Sequence, residues 1–286
     1  MPDQAVPDTL SRLHTQLAAG ETVLNGWLHL PGGVSAEVMG QAGYDALTID
    51  LQHGLIGDGG LVSSLQAIAA TPAAALVRVP WLHPPDLMRA LDAGAVGVIC
   101  PMIDTPEQAS ALVHACRYPP QGGRSYGPTR ASLIYPGYLD RADAQTLVFA
   151  MIETATALTN LDAILDTPGL SGVYVGPADL SLSLTGTATL DFSIGEVADA
   201  VAHVAREANR RHLISGIFTQ GGELARQAVS LGYRFVTAGS DFALLGGAAR
   251  AVLSDLRSTT PASSTGHPQL LNPSLTRKGE VPCHEF

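Results

Sequence analysis

The sequence predicts an α/β protein folded as a single (β/α)8 barrel, and three observations predict it. Eight short apolar runs occur, at 22–28, 46–50, 74–78, 96–100, 147–152, 172–176, 213–218 and 234–239. Helical patterns alternate with them, near 34–43, 57–71, 84–93, 105–116, 155–165, 195–212, 220–231 and 241–256. Strands apolar on both faces and joined through helices imply a parallel sheet. Eight such pairs over about 250 residues fit a closed barrel better than an open doubly wound sheet. The turn after the first run, Leu30-Pro31-Gly32-Gly33, also lacks the GxGxxG that a dinucleotide-binding sheet would place there.

Composition bounds the partners. The 286 residues are 46% hydrophobic, ample for one large core. The formal charge is -10, from 16 basic and 26 acidic residues, with no Lys/Arg run. Nucleic acid and anionic membrane are therefore not expected partners, and a small molecule is. Three cysteines, Cys100, Cys116 and Cys283, are too few and too irregularly spaced for a disulfide framework or a zinc site. A reducing compartment, the cytoplasm, is the expected location. The N-terminus has no apolar signal core, and no apolar run reaches the roughly 18 residues of a spanning helix. Residues 1–257 are assigned to the barrel, and 258–286, rich in Ser, Thr, Pro and Gly, to a flexible C-terminal tail.

In such a barrel the reactive groups follow the C-terminal ends of the strands. Trp27, one residue before the end of the first run, suits either the mouth or the core. His29 beyond it, like His83 after the third run, is expected in packing or at the surface, for want of an acidic partner at dyad spacing. The second run ends in Asp50-Leu51-Gln52-His53-Gly54. Asp50 and His53 form either a proton-transfer dyad or an ordinary turn whose side chains cap backbone groups. Arg78 closes the third run, where it would hold an enolate or carboxylate, or form a salt bridge for which Asp92 is a candidate partner.

Glu153 follows the fifth run, and Gly176-Pro177-Ala178-Asp179 the sixth. The two carboxylates are hard ligands for a divalent ion, or else each caps a helix. The Gly176-Pro177 turn suits an organic carboxylate, or is a plain helix start. Gly221-Gly222 and Gly239-Ser240, after the last two runs, stand where many barrels bind phosphate. The irregular insertion 117–146 is too long for a simple connector, and either covers the site or forms a surface or subunit contact.

The order of these residues resembles the HpcH/HpaI aldolase family, metal-dependent class II pyruvate aldolases on a TIM barrel of the phosphoenolpyruvate/pyruvate type. The resemblance spans about residues 20–255. It rests on Gly43-Tyr44-Asp45, Ile49-Asp50-Leu51-Gln52-His53, Val77-Arg78-Val79-Pro80, Leu91-Asp92-Ala93-Gly94, Pro101-Met102, Ile152-Glu153-Thr154 and Gly176-Pro177-Ala178-Asp179-Leu180-Ser181. It implies Glu153 and Asp179 as ligands of Mg, Mn or Co, and His53 as the base supported by Asp50. Arg78 falls beside the pyruvyl oxygen and Asp92 at an acidic active-site position. Trp27, Gln52, Gly176, Pro177 and Ala178 are expected to contact substrate. The stretch Gly122-Gly123-Arg124-Ser125-Tyr126-Gly127 is similar to a family loop, which favours a site-covering role for the insertion.

The chain departs from the family pattern at Gln52, where an acid is common, at Ser125, where Gly is usual, and at Met151, where Gln is frequent. The implied activity is a carbon-carbon lyase that reversibly cleaves a 4-hydroxy-2-oxo acid to pyruvate and an aldehyde through a metal-stabilised enolate, in a homo-oligomer. The alternatives are an oxaloacetate decarboxylase, a lyase for a CoA thioester or phosphorylated ligand on the same barrel, and a non-catalytic ligand-binding barrel.

Overall fold

The computed structural model describes residues 8–193 and 195–259. Eight parallel strands form one closed barrel in sequence order: β1 (Val23–Leu28), β2 (Ala46–Asp50), β3 (Ala74–Arg78), β4 (Gly97–Cys100), β5 (Leu147–Ile152), β6 (Gly172–Val175), β7 (Ile214–Thr219) and β8 (Phe235–Ser240). Closure comes from β8 pairing with β1, so Val23 faces Phe235. Each of the eight runs became a strand, displaced by at most a residue at either end.

The helices are α1 (Thr9–Ala18), α2 (Gly33–Gln41), α3 (Asp58–Ala69), α4 (Pro84–Asp92), α5 (Pro106–Cys116), α6 (Ala131–Ile134), α7 (Tyr138–Gln145), α8 (Ala155–Thr159), α9 (Leu161–Leu165), α10 (Pro177–Thr185), α11 (Gly195–Arg210), α12 (Gly222–Ser230) and α13 (Asp241–Thr259). Local chemistry explains several starts. At α5 the Thr105 side chain accepts from the Gln108 N–H while the Gln108 side chain accepts from the Thr105 N–H, and Pro106 opens the helix. The expected helix over 155–165 is broken at Asn160 into α8 and α9, and α1, α6, α7 and α10 add to the expected set.

Strand side chains alternate between two apolar clusters, as the two-residue period of a strand requires. On β5, Val148, Ala150 and Ile152 face the surrounding helices, whereas Leu147, Phe149 and Met151 fill the barrel interior. The same parity puts Ala74 and Leu76 of β3, and Val23 and Trp27 of β1, inside. Continued by one step, it aims Asp50, Arg78, Glu153 and His29 into the barrel mouth. Several polar groups among the inner residues are paired: the Asn25 amide donates to Thr237 Oγ1 at 2.7 Å, and Thr48 Oγ1 donates to Asn25 Oδ1 at 3.2 Å.

The insertion after α5 leads from a helix to a strand, so it lies at the N-terminal end of the barrel, opposite the mouth. There α7 packs on α1. Tyr135 and Tyr138 join Leu10 and Leu13 in the interior cluster, and Arg141 pairs with Asp8 at 2.6 Å. Within this chain the insertion therefore does not cover the cavity, contrary to the favoured expectation; it makes the surface contact that was the alternative. The barrel unit comprises Met1–Gly247, and a second unit begins at Ala248. Its described part is the end of α13, which continues through 258 and 259; the rest of the expected tail, 260–286, lies outside the described residues. Among the described residues no helix is long and apolar enough to cross a membrane.

Gly172 marks the tightest strand contact, because a Cβ there would lie 2.1 Å from the Ile214 carbonyl oxygen of its partner strand. Relief would require β6 and β7 to separate. Gly172→Ala is therefore expected to cost about 2 kcal/mol or more of folding stability in urea unfolding, and an unchanged midpoint would contradict this packing.

Candidate active site

A cavity of about 160 Å3 opens at the C-terminal mouth. Its polar wall is His29, His53, Arg78 and Asp179, and its apolar wall includes Trp27, Met151, Leu190 and Phe218. The turn Gly176-Pro177-Ala178 completes it.

Behind the polar wall lies the fully buried carboxylate of Asp50. Arg78 grips it with two donors, Nε to Oδ1 at 2.9 Å and Nη2 to Oδ2 at 2.6 Å. The Trp27 indole N–H donates to Oδ2 at 3.2 Å, and His29 Nε2 lies 3.1 Å from the same oxygen. The backbone N–H groups of Gln52 and His53 donate to Oδ1 at 3.0 and 3.3 Å. Burial by itself raises this carboxyl, but His29, the hydrogen bonds and charge of Arg78, and Trp27 together hold it well below the usual carboxylate range. Arg78 also lies over the Trp27 ring, 4.9 Å from its centroid. Its remaining nitrogen, Nη1, has no acceptor among the described residues and is free for an incoming anion.

Glu153 behaves in the opposite way. It is 2% exposed, and Oε1 accepts from the Met102 N–H at 2.8 Å. Met102 adopts a left-handed φ of 56° there, a conformation that is costly outside glycine. The other oxygen, Oε2, is buried without any partner. A Cβ at residue 176 would lie 2.5 Å from Oε2, so Gly176 keeps the space beside it open. Burial pushes the Glu153 carboxyl up to about 7, against the Met102 N–H and with the help of the nearby Asp179 charge. Asp179 stands in the first turn of α10, which has Gly176 as its N-cap and Pro177 as its first residue.

An orphaned, buried carboxylate oxygen beside a second carboxylate fits a hard divalent cation. Glu153 and Asp179 are the residues that could hold it. No cluster of three His, Cys, Asp or Glu side chains with metal-binding geometry occurs among the described residues. Two protein ligands would leave positions for water and substrate oxygens.

The profile of the HpcH/HpaI aldolase/citrate lyase family matches residues 27–248. The chain belongs to this family. It is 42% identical over 249 residues to a hydroxypyruvate/pyruvate aldolase of Rhizorhabdus wittichii, covering 87% of this chain and 99% of that protein. It is 38% identical over 230 residues to a 4-hydroxy-2-oxovalerate aldolase of Novosphingobium aromaticivorans, covering 79% and 86%. Among solved structures, an HpcH/HpaI aldolase/citrate lyase family protein from Burkholderia cenocepacia superposes with a TM-score of 0.81 at 35% identity, covering 86% of this chain and 99% of that one.

Within this HpcH/HpaI family member, the structure brings Trp27, His53, Arg78, Gly176, Pro177, Ala178 and Asp179 to one cavity, with Glu153 against Gly176. Asp50 stands behind them and binds the backbone of His53 rather than its imidazole, so the expected dyad is not formed with His53. Gln52 contributes its backbone N–H, and its side-chain Oε1 is buried without a partner. Asp92 is not brought to this cavity. It closes α4, at the helix end that leads back to the N-terminal face, and pairs with Arg124 of the insertion at 2.7 Å. The partner of Arg78 is thus Asp50, not Asp92.

His29 was missed, although two-residue parity from Trp27 points it inward; its acid is distant in sequence. His83 also has an acid, Asp86 at 3.1 Å, but is exposed at the surface. Leu190 and Phe218 escaped a reading that looked for polar strand ends. The glycines that suggested a phosphate or CoA site, Gly221, Gly222 and Gly239, do not line the cavity, and Arg78 is the one Lys or Arg among its described lining residues.

A carboxyl raised in the folded state is a pH liability without a cation. Between about pH 4.5 and pH 7 the unfolded chain gives up the Glu153 proton while the folded chain keeps it, so this group's contribution to stability falls as pH rises and is flat above. A divalent cation competes with that proton. The rise in Tm caused by Mg or Mn is expected to be larger at about pH 8 than at about pH 5.5, and to vanish in Glu153→Gln. A shift equal at both pH values, or retained in the variant, would argue against Glu153 as a ligand.

Proposed function

We propose that this protein is a divalent-metal-dependent lyase that cleaves 4-hydroxy-2-oxo acids to pyruvate and an aldehyde, and runs the aldol addition in reverse. The observation that carries this reading is the pairing, across one cavity, of a guanidinium with a free Nη1 and a buried carboxylate with an unpartnered oxygen. A 2-oxo acid needs both, since negative charge develops on its keto oxygen as the enolate forms. The two relatives, a hydroxypyruvate/pyruvate aldolase and a 4-hydroxy-2-oxovalerate aldolase, support the same substrate class.

When bound by Glu153 and Asp179, Mg, Mn or Co supplies positive charge that favours the enolate. The chain's own groups do the rest. Arg78 Nη1 holds the pyruvyl oxygens, and the outward N–H groups at the start of α10 orient the carboxylate. His53, at the exposed rim, takes the proton from the C4 hydroxyl; the C3–C4 bond then breaks and the aldehyde leaves. Trp27, Met151, Leu190 and Phe218 exclude water from the enolate. Exposed apolar side chains at the start of α13, Phe242, Leu244 and Leu245, support a homo-oligomer. The free, buried Cys100 and Cys116 support a cytoplasmic location.

Pyruvate release from a panel of 4-hydroxy-2-oxo acids tests the reading. Chelation is expected to abolish it and Mg, Mn or Co to restore it, whereas full activity in the metal-stripped protein would remove this mechanism. His53→Ala is expected to lose about 10²–10⁴-fold in kcat, and Arg78→Ala about 10²–10³-fold in kcat/KM, as removal of an oxyanion partner does.

A further inference from the structure

The cleavage moves two protons: one leaves the C4 hydroxyl, and one is delivered to C3 as the enolate becomes the methyl group of pyruvate. The cavity contains two imidazoles, His53 and His29. We propose that His29 is a second catalytic residue, which transfers the proton at C3 of the pyruvyl group; this rests on the aldolase reading above.

Three observations carry the proposal. First, the imidazole that has an acid is His29: its Nε2 lies 3.1 Å from Asp50 Oδ2, whereas Asp50 takes only the backbone N–H of His53. Asp50 is held ionised by its surroundings and can only accept, so Nε2 carries the hydrogen and Nδ1 keeps a lone pair. Second, His29 is clamped. Its N–H donates to Oδ1 of the buried Asp241 at 2.8 Å, its carbonyl accepts from the Leu55 N–H at 2.8 Å, and the Leu30 N–H donates to Asp241 Oδ2 at 3.2 Å. These bonds fix the backbone from which the imidazole projects, and Asp50 fixes the ring itself, as a proton-transfer group requires. Third, Asp50 binds His29 and Arg78 with the same oxygen, which places this imidazole beside the guanidinium that holds the pyruvyl end. His29 keeps 25% of its side-chain surface exposed, and His53 is the more exposed of the two, at the rim where the aldehyde departs.

In the enolising direction the C3 proton passes to His29 Nδ1. The C–H electron pair becomes the C2–C3 double bond, and the keto oxygen takes the negative charge facing Arg78. The imidazolium keeps its second proton on Nε2, against Asp50. In cleavage the transfer runs backwards, and the Nδ1 proton is delivered to C3 of the enolate.

Exchange of the pyruvate methyl protons in D2O, followed by NMR on the cation-loaded protein without any aldehyde, isolates the C3 transfer. Single-turnover release of aldehyde from a 4-hydroxy-2-oxo acid isolates the step at C4. In His29→Gln, whose amide still donates to Asp50, exchange is expected to fall about 10²-fold or more, and distinctly further than aldehyde release. His53→Gln is expected to show the reverse order. Exchange at the wild-type rate, or equal losses in both assays, would overturn the assignment. Should His29→Gln fail to fold, His29→Gly with added imidazole decides: recovered exchange supports the proposal, and none overturns it. Wild-type protein that exchanges pyruvate protons but cleaves no 4-hydroxy-2-oxo acid would remove the aldolase reading and leave the role of His29 at C3 standing.

Discussion

The site depends on how one buried carboxylate is kept charged. Asp50 ends β2 with its side chain inside the barrel, where an unpaired carboxylate would be prohibitively costly. Arg78, Trp27, His29 and two backbone N–H groups satisfy it, and these come from the ends of β1, β2 and β3 or the turns that follow. Losing one partner of such a buried pair typically costs about 3–5 kcal/mol, because the other charge is left stranded. The constraint therefore acts in every direction: it sets the rotamer of Arg78, the orientation of the indole and the hydrogen-bearing nitrogen of His29. It also reconciles the two readings of Asp50-Leu51-Gln52-His53. The segment is a turn closed by its own aspartate, and the same aspartate organises the reactive groups around it.

Glu153 stands inside the same mouth under the opposite regime. Both carboxyls are buried, and burial alone raises both. Asp50 has a full set of donors and stays ionised; Glu153 has one backbone N–H, an empty oxygen and a like charge nearby. The first is a strap that positions its neighbours, and the second keeps one buried oxygen without a partner. Opposed shifts of this kind occur at functional sites, although structural ion-pair networks such as that around Asp50 produce them too. The absence of a side chain at Gly176 and the left-handed backbone at Met102 both serve Glu153, the one by leaving space and the other by aiming its N–H.

The barrel was legible because its signals are local. Apolar runs, their spacing and their helical interludes appear in the chain itself, and the polar residues after the runs mark the mouth. Glu153, Asp179 and Arg78 could be found in this way. Two features lie away from this cavity for a single reason. Asp92 and the 117–146 insertion both lie where a helix returns to a strand, and in a parallel barrel every such connection sits on the face opposite the reactive groups. Chain order carries this information, but a family motif that includes Asp92 obscures it.

By itself, the sequence determined the architecture, the face on which the site is built and most of the residues that line it, since strand parity and strand order depend only on periodicity. Tertiary structure alone decided which side chains meet. The partner of Asp50 proved to be His29, twenty-one positions earlier in the chain, rather than the imidazole three residues away. Neighbouring strands in a closed barrel bring their ends within hydrogen-bond reach whatever their separation in sequence. The turn after β2, meanwhile, spends its short reach on its own backbone.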